Sequence, residues 1–228
     1  MKLTEKYVEK RELEKYLSQT FTFWNQLPEH SQMKFMNAVE LQSYTAQGQI
    51  VDAGAGAFIT VLRGSIYGYI SSKNGVCLTL FTVRENMPYI VPPESGTGGD
   101  SPLRNVKVDK NSEILYVDGS IWQEILETSL SACNFALSVS SEHMNRILKT
   151  MDLQLFAPVG KRVAMFIREF SGEEDTLNIT HNEMALRLGT AREVISRSLS
   201  ALVKTGAIET ERGRIKIVNR DLLESGWE

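Results

Sequence analysis

The 228-residue sequence predicts an α+β chain: an N-terminal antiparallel β-roll of jelly-roll type, a long helix, and a C-terminal winged helix-turn-helix. Three observations carry this. Between about Glu40 and Val117, short β-prone runs alternate with glycine-centred turn signals. From Leu137 to Leu155 the apolar residues recur in alternating steps of four and three. Between Thr180 and Arg197, two polar helix starts flank a glycine.

Residues 1–20 read as a polar amphipathic helix whose apolar contacts are Leu3, Tyr7, Leu13 and Leu17. A second helical stretch, Phe21 to Val39, is broken at Leu27-Pro28. The expected strands are Ile50-Val51, Phe58 to Leu62, Ile66 to Ile70, Val76 to Val83 and Ile114 to Val117. Asn74-Gly75, between two of these runs, is a strong hairpin signal. Several short strands at this spacing form a roll, sandwich or barrel. The Pro- and Gly-rich stretch from Tyr89 to Pro102 reads equally as a binding or switch loop and as a plain surface loop.

A long helical region follows from Gly119. Leu137, Ser141, Met144, Leu148, Met151 and Leu155 form a narrow seam of the kind that packs on a partner helix, so a homodimer is expected. The alternative is that the helix covers the β-domain of its own chain. Ala157-Pro158-Val159 ends the helix and makes the expected hinge. The organisation is thus 1–118 for the N-terminal helices and β-roll, 119–157 for the dimerisation helix and 158–228 for the helix-turn-helix domain. In that last part Val163, Phe166, Ile167 and Phe170 mark a helical face, and Arg212-Gly213 turns a hairpin between Ile208 to Thr210 and Arg214 to Val218.

Composition narrows the function. A hydrophobic fraction of 42% excludes wholesale disorder. No apolar run approaches the roughly 20 residues that span a bilayer. The first 20 residues lack the apolar core of a signal peptide, so a cytoplasmic protein with no membrane partner is expected. The net charge of −3 argues neither for nor against nucleic acid. It hides a local excess: between 180 and 204, Arg187, Arg192, Arg197 and Lys204 face only Glu183 and Glu193.

That stretch carries the chemistry. Thr180 with Glu183 and Thr190 with Glu193 are two capping boxes, each expected to start a helix. The first helix buries Met184, Ala185 and Leu188, and Gly189 supplies the left-handed turn. The second buries Ile195, Leu199 and Leu202, which leaves Arg192, Glu193, Ser196 and Arg197 on the opposite face. A recognition helix meets base edges with its N-terminal residues. Arginine can bond guanine O6 and N7 together, and glutamate can accept from cytosine N4. The plainer alternative, in which Glu193 caps the helix and pairs with Arg197, leaves two outward arginines unexplained.

The block Leu177 to Leu202 closely resembles the winged-helix DNA-binding domain of Crp/Fnr-type transcription regulators. Gly206-Ala207-Ile208 and Arg214 to Ile217 resemble that family's wing, and Gly48-Gln49-Ile50, Val61 to Gly64 and Asn74-Gly75 its β-roll. The resemblance implies a homodimer that sets two recognition helices in successive major grooves of an inverted-repeat operator, with RNA polymerase as a further partner. It implies Arg192, Glu193, Ser196 and Arg197 as base readers. It puts Thr180, His181, Asn182 and Thr190 at the phosphate backbone, and makes Leu137, Met144, Leu148, Met151 and Leu155 the dimer seam. Arg192 matches the cyclic-AMP-responsive branch and Ser196 the oxygen-responsive branch, so the half-site copies neither.

The effector end departs from the pattern. Pro102 and Leu103 stand where the family's cyclic-nucleotide binders carry an Arg-Ser or Arg-Thr phosphate pair, and Arg104 is out of register. No cyclic nucleotide is expected, since a buried phosphate would go uncompensated. An iron–sulfur cluster needs about four thiolates, and only Cys77 and Cys133 exist; both are expected as plain core. No metal site is expected, and the effector is an unidentified small molecule. His30, His143 and His181 all lie outside the β-run, which counts against a metal-dependent enzyme of cupin type. The other alternative is an interaction module whose winged helix binds protein.

Overall fold

The computed structural model describes residues 10–51, 53–71, 77–92, 105–171 and 175–225. The chain divides into two compact units, residues 1–69 with 80–147 and residues 70–79 with 148–228.

The first unit opens with α1 (Lys10–Thr20), a 3-10 turn (Trp24–Gln26) and α2 (Glu29–Ala38). Leu27 is extended and Pro28 stands before α2, as a residue preceding proline requires. The strands are β1 (Glu40–Tyr44), β2 (Phe58–Arg63), β3 (Ser65–Ser71), β4 (Cys77–Arg84), β5 (Pro88–Ile90), β6 (Val106–Val108) and β7 (Ser112–Val117). They form a sheet in the order β1-β7-β2-β5 and another in the order β4-β3-β6. The β-runs at Phe58, Ile66 and Ile114 are strands as expected, and the run expected from Val76 is a strand from Cys77, its first described residue. Ile50-Val51 is not: Ile50 makes a single bridge to Lys107, and Val51 is buried beside it in irregular chain. Strands β1, β5 and β6 carry no strong alternation in the sequence; β5 starts with a proline, tolerable because β5 is the edge of its sheet. Leu3, Tyr7, the Asn74-Gly75 turn, and Pro102, Leu103 and Arg104 lie outside the described residues.

An aromatic core fastens the N-terminal helices to the strands. Phe21 meets Phe58 edge-on at 5.3 Å, Phe23 meets Trp122 at 5.4 Å, and Phe58 meets Trp122 at 4.8 Å between ring centres. Such rings supply most of the apolar area that a small core buries, with an orientation preference on top. Leu13 and Leu17 of α1 join this core, and Tyr16 shares a hydrogen bond of 3.1 Å with Thr60 of β2.

The expected long helix is two helices. Helix α3 (Gly119–Thr128) starts at Asp118, whose carboxylate accepts from the Ser120 hydroxyl at 2.6 Å and from Ser120 N at 2.9 Å; these bonds hold its pKa below the usual range. Ser129 then turns extended, and its hydroxyl accepts from Ala132 N at 3.2 Å, restarting the chain as α4 (Leu130–Phe156). A serine can satisfy orphan amides as a cap, which is why the helix is interrupted there without glycine or proline.

One face of α4 is tied to the strands by two side chains. The His143 ring shares a hydrogen bond of 3.0 Å through Nε2 with Pro88 O and lies 5.1 Å from Tyr89 and 5.5 Å from Phe81. Arg146 donates to Thr82 O at 3.2 Å and to Glu142 at 2.7 Å. Because Nε2 bonds a carbonyl it carries the proton, so Nδ1 is bare; it is buried without a partner among the described residues. Burial pushes the His143 pKa below its ordinary value.

The second unit holds α5 (Val159–Phe170), β8 (Thr176–Asn178), α6 (His181–Arg187), α7 (Arg192–Lys204), β9 (Ile208–Glu211), β10 (Arg214–Ile217) and α8 (Arg220–Ser225). The three strands pair in the order β8-β10-β9. Strand β8 and helix α8, three and six residues long, are too short to leave a periodic signal in the sequence. A single core of Val163, Phe166, Ile167, Met184, Ile195, Leu199, Leu202, Ile208 and Ile215 joins the elements.

The link between α6 and α7 is a Schellman turn. Thr190 N donates to Ala185 O at 3.0 Å, Gly189 N donates to Leu186 O at 3.4 Å, and Gly189 has φ +61°. This corrects the second expected capping box. The Thr190 amide closes the preceding helix, so the cap of α7 falls one residue later, on Ala191, which has no side-chain bond to offer. The first box is present in full: Thr180 N donates to Glu183 Oε2 at 2.8 Å, and Glu183 N donates to Thr180 Oγ1 at 3.2 Å.

Two outcomes test these features. Unfolded His143 takes up its proton near pH 6.5 and the folded group only below that. Stability measured by urea unfolding should therefore fall as pH drops below about 6.5, and that of His143→Gln should fall less steeply there. Gly189→Ala should cost about 1–2 kcal/mol, from backbone strain alone, because a Cβ there would meet Leu78 at an ordinary 3.5 Å. Gly189→Asn should cost less, since asparagine tolerates this conformation.

Candidate nucleic-acid interface

The site is built on α6 and α7. The burial period of α7 turns Ile195, Ser198, Leu199 and Leu202 inward. That leaves Arg192, Glu193 and Arg197 exposed on its first two turns, with Ser196 half-buried beside them. Among the described residues, no hydrogen bond or ion pair engages the side chains of Arg192, Glu193 and Arg197. A Glu193–Arg197 pair is thus not formed. Thr180 and Asn182 are exposed, and His181 and Thr190 are half-buried, at the start of α6 and in the turn before α7.

Side chains from two other elements hold the turn. Gln154 Nε2 and Arg162 Nη1 both donate to Leu188 O at 3.3 Å, and Arg162 also donates to Gln154. Leu188 is the C-cap of α6, so its carbonyl would otherwise be one of the orphan acceptors of a helix end. Leu78 makes an isolated antiparallel bridge to the same residue. Burial lowers the Arg162 pKa from its ordinary value. No sequence signal marks Gln154, Arg162 or Leu78, because each acts on a residue distant in the chain.

His181 and Ser196 are also brought together. The His181 Nδ1 lies 2.9 Å from Ser196 Oγ, across 15 residues and two helices. The hairpin β9–β10 adds Arg212, Arg214 and Lys216, all exposed. Two of these face acidic partners, Arg214 opposite Glu211 and Lys216 opposite Glu209. Charge on the hairpin is therefore mixed, whereas the first two turns of α7 expose Arg192 and Arg197 against the single acid Glu193.

The expected seam residues Leu137, Met144, Leu148, Met151 and Leu155 are 47% to 70% exposed, while Ala132, Val139 and Ile147 of the same helix are buried. Cys77 and Cys133 are half-buried, not fully in the core, and Cys133 Sγ donates to Leu126 O at 3.0 Å. His143, which sequence order separates from the β-run, packs against β4 and β5. No helix among the described residues is long and apolar enough to cross a membrane.

Comparison with known proteins agrees with this geometry. The Crp-like helix-turn-helix domain profile matches residues 161–225. No curated protein sequence matches the chain. Among solved structures, a regulator assigned to the Crp/Fnr family from Eubacterium rectale superposes with a TM-score of 0.78 at 22% identity, covering 91% of this chain and 98% of that one. FixK2 from Bradyrhizobium japonicum gives 0.64 at 15% identity, covering 81% of this chain and 95% of that one. The c-di-GMP-responsive global regulator CLP from Xanthomonas campestris gives 0.63 at 18% identity, covering 83% of this chain and 99% of that one. Residues 161–225 match a Crp-like helix-turn-helix domain, and the chain has the fold of these solved Crp/Fnr-family regulators.

Proposed function

We propose that the protein works as a homodimer that reads an inverted-repeat operator through the first two turns of α7. The observation that carries this is the exposed set Arg192, Glu193 and Arg197 at a helix start, whose side chains have no hydrogen-bond or ion-pair partner among the described residues. Long charged side chains without partners on a rigid helix are free to meet base edges, and two arginines with one glutamate match guanine and cytosine acceptors and donors. Ser196 completes the base-reading set. Thr180, His181, Asn182 and Thr190 are proposed to contact phosphate and fix the register.

Dimerisation is proposed through α4. Scattered exposed apolar residues need no explanation, but Leu137, Met144, Leu148, Met151 and Leu155 are exposed together at heptad spacing. A second copy of the same helix is the partner that this spacing fits. The signal is proposed to be a small molecule at the β-roll, acting through the α4–α5 junction at Pro158 on a pre-existing equilibrium. Cyclic nucleotide is not the proposed ligand, because Pro102 and Leu103 offer no guanidinium to its phosphate. RNA polymerase is the proposed further partner, in the cytoplasm, and no catalytic step is assigned to the chain.

Arg197→Ala should weaken operator binding by about 1–3 kcal/mol and relax specificity at one base pair per half-site. The test is titration against cognate and random duplexes; an unchanged ratio between the two would refute base reading. If Arg192→Ala and Arg197→Ala leave all partner binding intact, the winged helix binds protein and not DNA. Leu148→Asp should yield monomers in sedimentation, and an unchanged dimer mass would overturn the seam.

A further inference from the structure

The serines of α7 use their hydroxyls differently. Ser198 donates to Val194 O and Ser200 to Ser196 O, both at 2.9 Å, the usual back-bond of a helical serine. Ser196 bonds sideways to His181 Nδ1 instead, also at 2.9 Å. Its neighbours on the exposed face, Arg192, Glu193 and Arg197, have no such restraint among the described residues. Ser196 is therefore the one member of the proposed base-reading set whose hydroxyl is held by another helix.

We propose that His181 is a specificity-determining positioning residue: its Nδ1 accepts the Ser196 hydroxyl proton and so makes Ser196 Oγ a pure acceptor toward the base it faces. This rests on the reading of α7 as the DNA-reading helix. The chemistry follows from proton counting. A hydroxyl has one proton and two lone pairs, and a neutral imidazole has one bare nitrogen and one N–H. When the serine O–H donates to bare Nδ1, Oγ has only lone pairs left for DNA. In the major groove an acceptor selects the amino groups of adenine N6 or cytosine N4 and rejects guanine O6 and thymine O4. The same tautomer leaves Nε2–H free to donate to a backbone phosphate, so one imidazole serves both contacts proposed around it. A serine without this restraint rotates and accepts or donates to any base, and its contribution to selectivity is lost.

The test is selection from random duplex DNA with the full-length protein, run in parallel on wild type, Ser196→Ala, His181→Ala, His181→Asn and the double alanine variant. Ser196→Ala identifies the position that Ser196 reads. At that position wild type should favour adenine or cytosine by about five- to tenfold. His181→Ala should flatten that one position to about twofold or less and leave the others. The double variant should add nothing in selectivity, and His181→Asn, which keeps a polar atom near Nδ1, should restore part of the preference. A uniform loss of affinity in His181→Ala, with the preference kept, would make His181 a phosphate contact or a packing residue only and overturn the proposal. A wild-type preference for guanine or thymine there would overturn the acceptor assignment. An imidazole nitrogen NMR spectrum reads the tautomer without DNA: Nε2–H in wild type supports the proposal, and Nδ1–H overturns it. If wild type enriches no motif and Ser196→Ala changes no position, the DNA reading of α7 fails, and that failure is separable from this one because the spectrum still reports the His181–Ser196 bond.

Discussion

The exposed face of α7 depends on one turn. Gly189 in a left-handed conformation lets Thr190 N and Gly189 N fold back on the carbonyls of Ala185 and Leu186, which ends α6 and sends the chain into α7 within three residues. Any residue with a Cβ would pay backbone strain at this point. Because the turn is so short, the register of α7 is fixed with it. Ile195, Leu199 and Leu202 must then face the core, and Arg192, Glu193 and Arg197 must face solvent.

The turn is buttressed, not isolated. Leu188 O receives two side-chain donors, Gln154 from α4 and Arg162 from α5, and Leu188 bridges Leu78. A helix C-terminus gathers partial negative charge, so a guanidinium at that carbonyl is electrostatically favoured as well as geometrically apt. These contacts connect the last turns of α4, the helix with the exposed apolar seam, to the link that orients α7. In the first unit His143 and Arg146 play a comparable part, fastening an earlier turn of α4 to the backbone of β4 and β5. Helix α4 thus carries polar anchors on one side and uncovered Leu and Met residues on another. Such division is what a helix needs if it both belongs to its own fold and meets a second copy.

The arrangement at α7 also separates two kinds of side chain. The arginines and the glutamate are long and unrestrained, suited to contacts that adapt to a base step. Ser196 is short, and in the proposed reading of α7 a short group meets a base only if its direction is set beforehand, which is the part proposed for the His181 contact. Preorganised groups lose less freedom when they bind, so a restrained serine can discriminate where a free one cannot.

Short-range patterns in the sequence determined much of this protein. The β-run from Phe58 to Val117, the proline breaks at Pro28 and Pro158, the Thr180–Glu183 cap, the glycine turn and the inward period of α7 are each local, because propensity, capping and periodicity act over four or five residues. The exposed seam of α4 follows from its heptad spacing in the same way. What failed at this range was competition between neighbours: Thr190 looked like a cap, but its amide was already claimed by Ala185 O. Ser129 split an apparently continuous helix because a hydroxyl cap leaves no break in the apolar period. Only the tertiary structure decided which distant groups meet. His143 reached the strands across 55 residues, Arg162 reached Leu188 across 26, and His181 reached Ser196 across 15. A hydrogen bond depends on position to within a few tenths of an ångström, and that precision comes from the packed core and not from any spacing along the chain.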